Sequence, residues 1–338
     1  MYKIFLLILI SLFFGSCDTS KEPSSFSIST EKNNFKLGDT LKIELNNPEK
    51  LNIASVQYQL DNEDIMPNDL LREVKLGKKT LTAIISYESK VDTISKAITV
   101  FNNKTPHIYT FEIVNTYPHD INAYTQGMEF YKGDLYESTG QYKSSTLRKV
   151  NYAKGEVVKK LKLKDNFFGE GLTILNDKIY QLTWKSGQGF IYDITNFEKS
   201  GSFKYGKSKE GWGFCNDGTH FYKSDGTEHI WTLNKNSLVE ESFIQVYTDK
   251  GKIPSLNELE YVKGKIYANI YQRNGVVIIN PKNGAVEGVI DFKSLKEKVT
   301  QHPELDVLNG IAYHPQRETL FVTGKNWDQL FEVRIKKK

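Results

Sequence analysis

The feature that most constrains this chain is a repeat between residues 107 and 335. Five segments share a polar residue, then a small or acidic one, then two apolar residues two positions apart. They are Gln126-Gly127-Met128-Glu129-Phe130, Glu170-Gly171-Leu172-Thr173-Ile174, Glu210-Gly211-Trp212-Gly213-Phe214, Asn257-Glu258-Leu259-Glu260-Tyr261 and Asn309-Gly310-Ile311-Ala312-Tyr313. Their first residues lie 44, 40, 47 and 52 positions apart. A turn and an apolar pair follow each segment: Leu135-Tyr136, Ile179-Tyr180, Phe221-Tyr222, Ile266-Tyr267 and Leu320-Phe321. A third strand comes next, as at Phe190 to Ile194, and in four units a fourth, as at Val286 to Phe292. Four antiparallel strands in each unit of roughly 40–50 residues describe one blade of a β-propeller. The fifth unit stops after its third strand at Leu330 to Ile335, whereas Tyr109 to Thr116 is a strand without a blade. The expectation is therefore an all-β chain with a five-bladed propeller over residues 107–338, its ring closed by that strand.

Residues 26–101 carry a different pattern. Leu41, Ile43 and Leu45 alternate with polar residues, as do Val56, Tyr58 and Leu60, and Leu81, Ala83 and Ile85. Period two means strands with one buried face. Short strands over this length predict a small immunoglobulin-like β-sandwich, joined to the propeller by a linker at 102–106. Ahead of it, Lys3 precedes an apolar run from Ile4 to Phe14 and then Gly15-Ser16-Cys17. A basic start, a short apolar stretch and small residues make a secretory signal over residues 1–16. Gly15-Ser16-Cys17 resembles the bacterial lipobox, which implies cleavage before Cys17 and lipid on its sulfur. Residues 17–25 are then a lipidated tether. The implied location is the cell envelope, periplasmic or outer-membrane, with the membrane as a partner through Cys17.

Composition removes several alternatives. The 45 Lys and Arg against 41 Asp and Glu leave a net charge of +4, without the basic excess of a nucleic-acid binder. Two cysteines, Cys17 and Cys215, exclude a disulfide scaffold and a cysteine zinc cluster. Cys215 reads as a small core residue. The six histidines show no pair at helical metal-binding spacing, so neither a metal nor a cofactor is expected. His119 beside Asp120 reads as a structural hydrogen-bonding residue. Ser138 and Ser224 have no evident base partner, which argues against a Ser-His-Asp hydrolase. No oligomerisation seam is evident, so a monomer is expected.

In a propeller the first strand of each blade lines the channel and the second runs back beside it. The starts of first strands and the ends of second strands thus share one face. The starts are Gln126, Glu170, Glu210, Asn257 and Asn309; the ends are Gly140, Trp184, Gly226, Tyr271 and Lys325. Carboxylates, amides, aromatics and a lysine from distant stretches of chain converge there. Polar groups ring any water-filled channel, but aromatic side chains beside them point to a binding pocket.

At this point a family resemblance becomes readable. It is carried by Pro118-His119-Asp120, Thr125-Gln126-Gly127, Glu137-Ser138-Thr139-Gly140, Gly169-Glu170-Gly171-Leu172, Gly211-Trp212-Gly213, Ser224-Asp225-Gly226, Leu256-Asn257-Glu258-Leu259-Glu260-Tyr261, Asp306-Val307-Leu308-Asn309-Gly310 and Phe321-Val322-Thr323-Gly324-Lys325. In this order they resemble the plant-type glutaminyl-peptide cyclotransferase family, from about Ile108 to Ile335. The resemblance implies a five-bladed propeller that closes the N-terminal glutamine of peptides or proteins to pyroglutamate, releasing ammonia without a catalytic metal. It also implies that Glu170 shuttles the proton. Among the five ring positions only Glu170 and Glu210 are acids. Asn257, Lys325 and Gln126 are the candidates for stabilising the developing oxyanion and holding the substrate, and Lys325 is equally placed to pair with Glu170. Trp184, Trp212, Tyr271 and Phe168 would wall the pocket, and Asn309 is a further substrate-binding candidate. Tyr271 stands where the family commonly has Trp, Met128 where Leu is common, and Cys215-Asn216 also departs from the pattern. Two rivals remain: a lactonase-type hydrolase using Glu170, Asn257 and Asn309 as calcium ligands, and a surface-anchored module that binds without turnover.

Overall fold

The computed structural model describes residues 25–338. The expected signal peptide, Cys17 and nearly all of the tether lie outside the described residues.

The repeat folds as a five-bladed propeller. Blade 1 consists of Thr125–Tyr131, Asp134–Thr139, Thr146–Asn151 and Glu156–Lys162. Blade 2 runs from Gly169–Leu175 to Lys199–Lys204, blade 3 from Phe214–Asn216 to Glu240–Gln245, and blade 4 from Leu256–Val262 to Val286–Asp291. Blade 5 supplies three strands, Leu308–His314, Thr319–Gly324 and Gln329–Lys337. Its fourth is His107–Pro118, antiparallel to the last strand with Tyr109 opposite Lys337. The strand without a blade therefore closes the ring. Through His107 to Tyr109 it also pairs, in parallel, with Val286–Asp291 of blade 4.

Burial follows position in the blade. The outermost strand Glu156–Lys162 alternates exposed and half-buried residues, whereas the innermost strand Gly169–Leu175 is buried almost throughout. A strand covered on both faces cannot alternate. Apolar cores fill each interface between blades. One example is Leu147, Leu172 and Ile174 between blades 1 and 2; another is Met128, Ala312 and Phe321 between blades 5 and 1.

Blade 3 corrects the alignment of the repeat. Cys215 pairs with Tyr222 as Thr173 pairs with Tyr180 and Glu260 with Tyr267. Counting back three residues puts Trp212, not Glu210, level with Gln126, Glu170, Asn257 and Asn309. Both Glu210-Gly211 and Trp212-Gly213 satisfy the residue-then-glycine pattern, and only strand pairing separates them. One residue further along, the five chains place Gly127, Gly171, Gly213, Glu258 and Gly310 around the axis. A Cβ on Gly171 would overlap the Trp212 carbonyl oxygen, and one on Gly213 would overlap the Asn257 carbonyl oxygen. The inner strands thus approach too closely for side chains at Gly127, Gly171 and Gly213, while Gly310 has φ 118°, a conformation that favours glycine.

Residues 26–101 form separate sheets. The largest has the order Asn34–Lys36, Lys90–Phe101, Gly77–Tyr87, Ile53–Leu60, Glu63–Ile65, and two short ribbons accompany it. Leu41 and Ile43 of the ribbons pack with Leu81 and Ile98 of the sheet, and Tyr247 and Ala285 of the propeller enter the same core. The expected linker is a fixed joint. Buried Asn102 bonds through its backbone N–H to Thr248 O at 3.2 Å and through Nδ2 to Val286 O at 3.0 Å.

A Gly213→Ala substitution forces a methyl group into backbone of the next blade. Overpacking of this kind costs roughly 1–3 kcal/mol, or a fall in Tm of about 2–12 °C for a domain of this size. Thermal unfolding checks this, and an unchanged Tm contradicts the close-approach account.

Candidate active site

A cavity of about 190 Å³ opens at the end of the channel where first strands begin. Its lining is Tyr124, Gln126, Gln141, Phe168, Glu170, Trp184, Trp212, Asn257, Tyr271 and Lys325. These residues come from all five blades or the loops entering them. The volume equals that of about six liquid water molecules, suited to one residue rather than a folded segment.

Glu170 is 4% exposed and its carboxyl lies well above the ordinary value. Burial is the main cause, and the Glu210 charge adds to it, while the Lys325 ammonium opposes both. Lys325 is itself buried, which pulls its pKa below the ordinary lysine value against the attraction of Glu170 and Asp306. Its Nζ sits 4.7 Å from the Tyr124 ring centre and 5.2 Å from that of Tyr271. Two aromatic faces thus support a cation removed from water. Tyr124 is fixed by donating its hydroxyl to Asp306 Oδ2 at 2.8 Å.

The amides form a chain. Asn309 Nδ2 donates to Gln126 Oε1 at 3.2 Å and to Thr125 O at 3.0 Å. That leaves Gln126 Nε2 facing Glu170 Oε1, at 3.3 Å. Asn309 is therefore not part of the lining. It lies beneath Gln126 and sets which end of that amide points into the cavity, so the structure does not place it for direct substrate binding. Asn257 does line the cavity, is buried, and its Oδ1 has no partner among the described residues. An unpaired buried acceptor beside an open cavity is available to a ligand.

The aromatic wall is built on glycines. A Cβ on Gly140 would strike the Phe168 ring, and one on Gly226 would strike the Trp212 indole. Second-strand ends without side chains thus make room for an aromatic, from the next blade at Gly140 and from the same blade at Gly226. Phe168 meets Trp184 at 5.5 Å between ring centres, and Trp212 meets Tyr271 edge-on at 5.5 Å. Glu210 stands outside the lining. Its Oε2 accepts both indole N–H groups, from Trp184 at 2.8 Å and Trp212 at 2.9 Å. Its backbone oxygen accepts from Lys223 Nζ at 2.9 Å, and Lys223 in turn pairs with buried Glu240 at 3.2 Å. The second acid of the ring reading is thus an anchor for two tryptophans.

Tyr124 and Gln141 also line the cavity and were not singled out from sequence. Tyr124 stands two residues before Gln126 as Phe168 stands two before Glu170, so the offset was available as a signal. Gln141 follows Gly140 and adopts φ 88°, a conformation sequence pattern does not announce. His119 lies in a buried network outside the cavity, with Nε2 3.1 Å from Glu137 Oε1 and Nδ1 2.8 Å from Trp327 O. Cys215 is buried in the core between blades 3 and 4. Among the described residues, no three His, Cys, Asp or Glu side chains come together as a metal site. Of the three residues of the calcium reading, Glu170 and Asn257 line the cavity and Asn309 does not.

This arrangement offers one buried carboxyl of raised pKa, one cation, two amides and an aromatic wall. The model of the glutamine cyclotransferase family matches residues 82–335. The chain belongs to the glutamine cyclotransferase family. Over 233 residues it is 37% identical to the glutaminyl-peptide cyclotransferase of Arabidopsis thaliana, covering 68% of this chain and 72% of that one. The crystal structure of Myxococcus xanthus glutaminyl cyclase is similar with a TM-score of 0.64 and 36% identity, covering 69% of this chain and 99% of that one. The cyclotransferase match begins at residue 82, within the hairpin Gly77–Tyr87 and Lys90–Phe101, and so takes in part of the N-terminal unit.

Replacing Glu210 with Ala releases both indoles at once. Hydrogen bonds to a charged acceptor are worth roughly 1.5–3 kcal/mol when buried, and less here because the carboxylate is 30% exposed. The expected result is stronger acrylamide quenching of tryptophan fluorescence and weaker near-UV circular dichroism. Unchanged spectra would show that the anchor does not hold the wall.

Proposed function

We propose that this protein converts the N-terminal glutamine of peptides or proteins to pyroglutamate with release of ammonia. The observation that carries the reading is Glu170: a single buried carboxyl of raised pKa in a cavity sized for one residue, in a chain of the cyclotransferase family. The substrate brings its own nucleophile. Its α-amine attacks the Cδ of its own side-chain amide, and holding that five-membered geometry is an orientation effect. Glu170 as carboxylate takes the proton from the amine while the new C–N bond forms. It returns the proton to the amide nitrogen as the old C–N bond breaks, and ammonia leaves. The Glu170 carboxyl ends in the state in which it began.

The charge that develops on the carbonyl oxygen needs donors. Lys325 Nζ and the Asn257 side-chain N–H are our donors for it, the free Asn257 Oδ1 is left to accept from the substrate amine, and Gln126 Nε2, oriented by Asn309, holds the Glu170 carboxylate toward the substrate. Trp184, Trp212, Tyr271 and Phe168 exclude water that would otherwise hydrate the amine or attack the amide.

The start of the sequence supports a further reading. The basic residue, the apolar run and Gly15-Ser16-Cys17 favour a secreted lipoprotein anchored through Cys17 in the cell envelope, periplasmic or outer-membrane. We read the N-terminal unit as an immunoglobulin-like sandwich between anchor and propeller, and the protein as a monomer. If so, Cys17→Ala moves the protein from the membrane fraction to the soluble fraction; retention in the membrane sinks the lipid anchor.

The catalytic test is ammonia release from a short glutamine-initiated peptide, with mass spectrometry for loss of one ammonia at the N-terminus. Glu170→Gln is expected to lower kcat/KM by about 10²–10⁴-fold while a slow substrate still binds, and EDTA to leave turnover unchanged. On the acid side kcat/KM falls as Glu170 takes up its proton, at a pH above the ordinary carboxyl range. Removing Lys325 takes away the charge that opposes this shift, so the acid limb moves to higher pH in Lys325→Met. An active Glu170→Gln variant, or turnover that EDTA abolishes, contradicts the mechanism.

A further inference from the structure

The cavity has a neighbour beyond Tyr271. A wider depression of about 680 Å³ lies on the far side, and Tyr271 is common to both linings. Ile253, Pro254 and Ile270 give it an apolar floor, and Gln272 and Arg273 stand at its edge. The other walls of the cavity are tied shut. Both tryptophans are bonded to Glu210, and Lys185 covers Trp184 with its Nζ 4.0 Å from the ring. On the opposite side Tyr124 is bonded to Asp306 above Lys325. Phe168 is backed by Tyr142 at 5.5 Å.

Arg273 is exposed, and its guanidinium has no ion pair or hydrogen bond among the described residues. Its backbone N–H bonds to Ile270 O at 3.0 Å, closing a turn in which Gln272 has φ 59°. That turn projects a free cation at the edge of the depression. The Cα atoms of Tyr271 and Arg273 are at most about 7 Å apart, no more than the span of two extended residues.

We propose that this depression is the path of the substrate chain downstream of the reacting glutamine, and that Arg273 reads a carboxylate side chain at the third or fourth substrate position. The inference rests on the cyclisation reading and names the substrates that reading favours. The second residue of the substrate lies over the Tyr271 ring, and the next two follow the apolar floor toward the guanidinium. A carboxylate there gains a partner for a cation that otherwise faces only water. The contact is far from the reacting atoms and is made equally in ground and transition states, so it acts on KM and not on kcat.

The test compares three C-terminally amidated peptides, Gln-Ala-Ala-Ala, Gln-Ala-Glu-Ala and Gln-Ala-Ala-Glu, at low salt. At least one acidic peptide is expected to exceed the neutral one by about 3- to 5-fold in kcat/KM, the scale of an exposed ion pair. The gain resides in KM and fades at about 1 M salt, where screening is short-ranged. Arg273→Ala brings the ratio of acidic to neutral peptide to one, and Arg273→Glu inverts it and favours peptides with Lys at the same position. Equal turnover of all three peptides by the unaltered protein overturns the subsite and leaves the cyclisation standing. An acidic preference that survives both Arg273 variants also overturns it. Failure to turn over any of the three overturns the cyclisation reading and the subsite with it.

Discussion

Five strands meeting at one axis leave almost no room, and the rest of the molecule is arranged around that shortage. Gly127, Gly171 and Gly213 let inner strands close up on their neighbours, Gly310 adopts a positive φ at the same level, and Glu258 occupies the remaining place. Its carboxyl accepts backbone N–H groups from Met128 at 3.3 Å and Ile311 at 3.0 Å, joining blade 4 to blades 1 and 5. Glu260 does the same to Tyr313 N at 2.7 Å, and Glu129 takes Thr173 Oγ1 at 2.6 Å. Carboxyls used this way are withdrawn from water, and burial pushes Glu258 and Glu260 well above the ordinary carboxyl range. The axis is thus a narrow, poorly solvated ladder of acids bonded to the backbone of neighbouring blades.

Glu170 is the member of this set that faces an open cavity. The same burial raises its pKa, but among the described residues its carboxyl takes one hydrogen bond, from Gln126, and the charge opposing the shift is Lys325. A carboxyl with few committed hydrogen bonds is free to exchange a proton with a ligand, whereas Glu258 and Glu260 are engaged in holding strands. Geometry around it is secured at one remove. Asn309 fixes the orientation of Gln126, Glu210 fixes two tryptophans, and Asp306 fixes Tyr124. Asn309 and Asp306 reach from blade 5 to residues at the start of blade 1, and Glu210 joins tryptophans of blades 2 and 3, so the shape of the cavity depends on contacts between blades.

Much of this was legible in the sequence, and the failures have physical causes. The number of blades, the closing role of the strand near Tyr109 and the convergence of Glu170, Asn257, Lys325, Gln126, Trp184 and Tyr271 follow from period and strand direction, whereas Phe168 enters only with the family resemblance. The register of blade 3 does not, because two glycines two residues apart offer equal matches. Pairing of Cys215 with Tyr222 decides it and turns Glu210 from a ring acid into an anchor. Asn309 sits at a ring position like the others, yet side-chain direction, which sequence does not carry, turns it to Gln126. The joint at Asn102 reads as a linker because its bonds run to residues far away, at Thr248 and Val286. Periodicity reports what faces inward; it does not report which buried polar atom finds which partner.

The central claim is that the substrate's own amine, not water, attacks the glutamine amide inside a dry aromatic cavity. Turnover of a glutamine-initiated peptide in water enriched with oxygen-18 tests it most directly. The account predicts a product lighter by one ammonia and free of the heavy isotope, because no water oxygen enters the new ring. A product carrying glutamate with oxygen-18 in its side chain would mean that water reaches the carbonyl, and the cavity would then be that of a hydrolase.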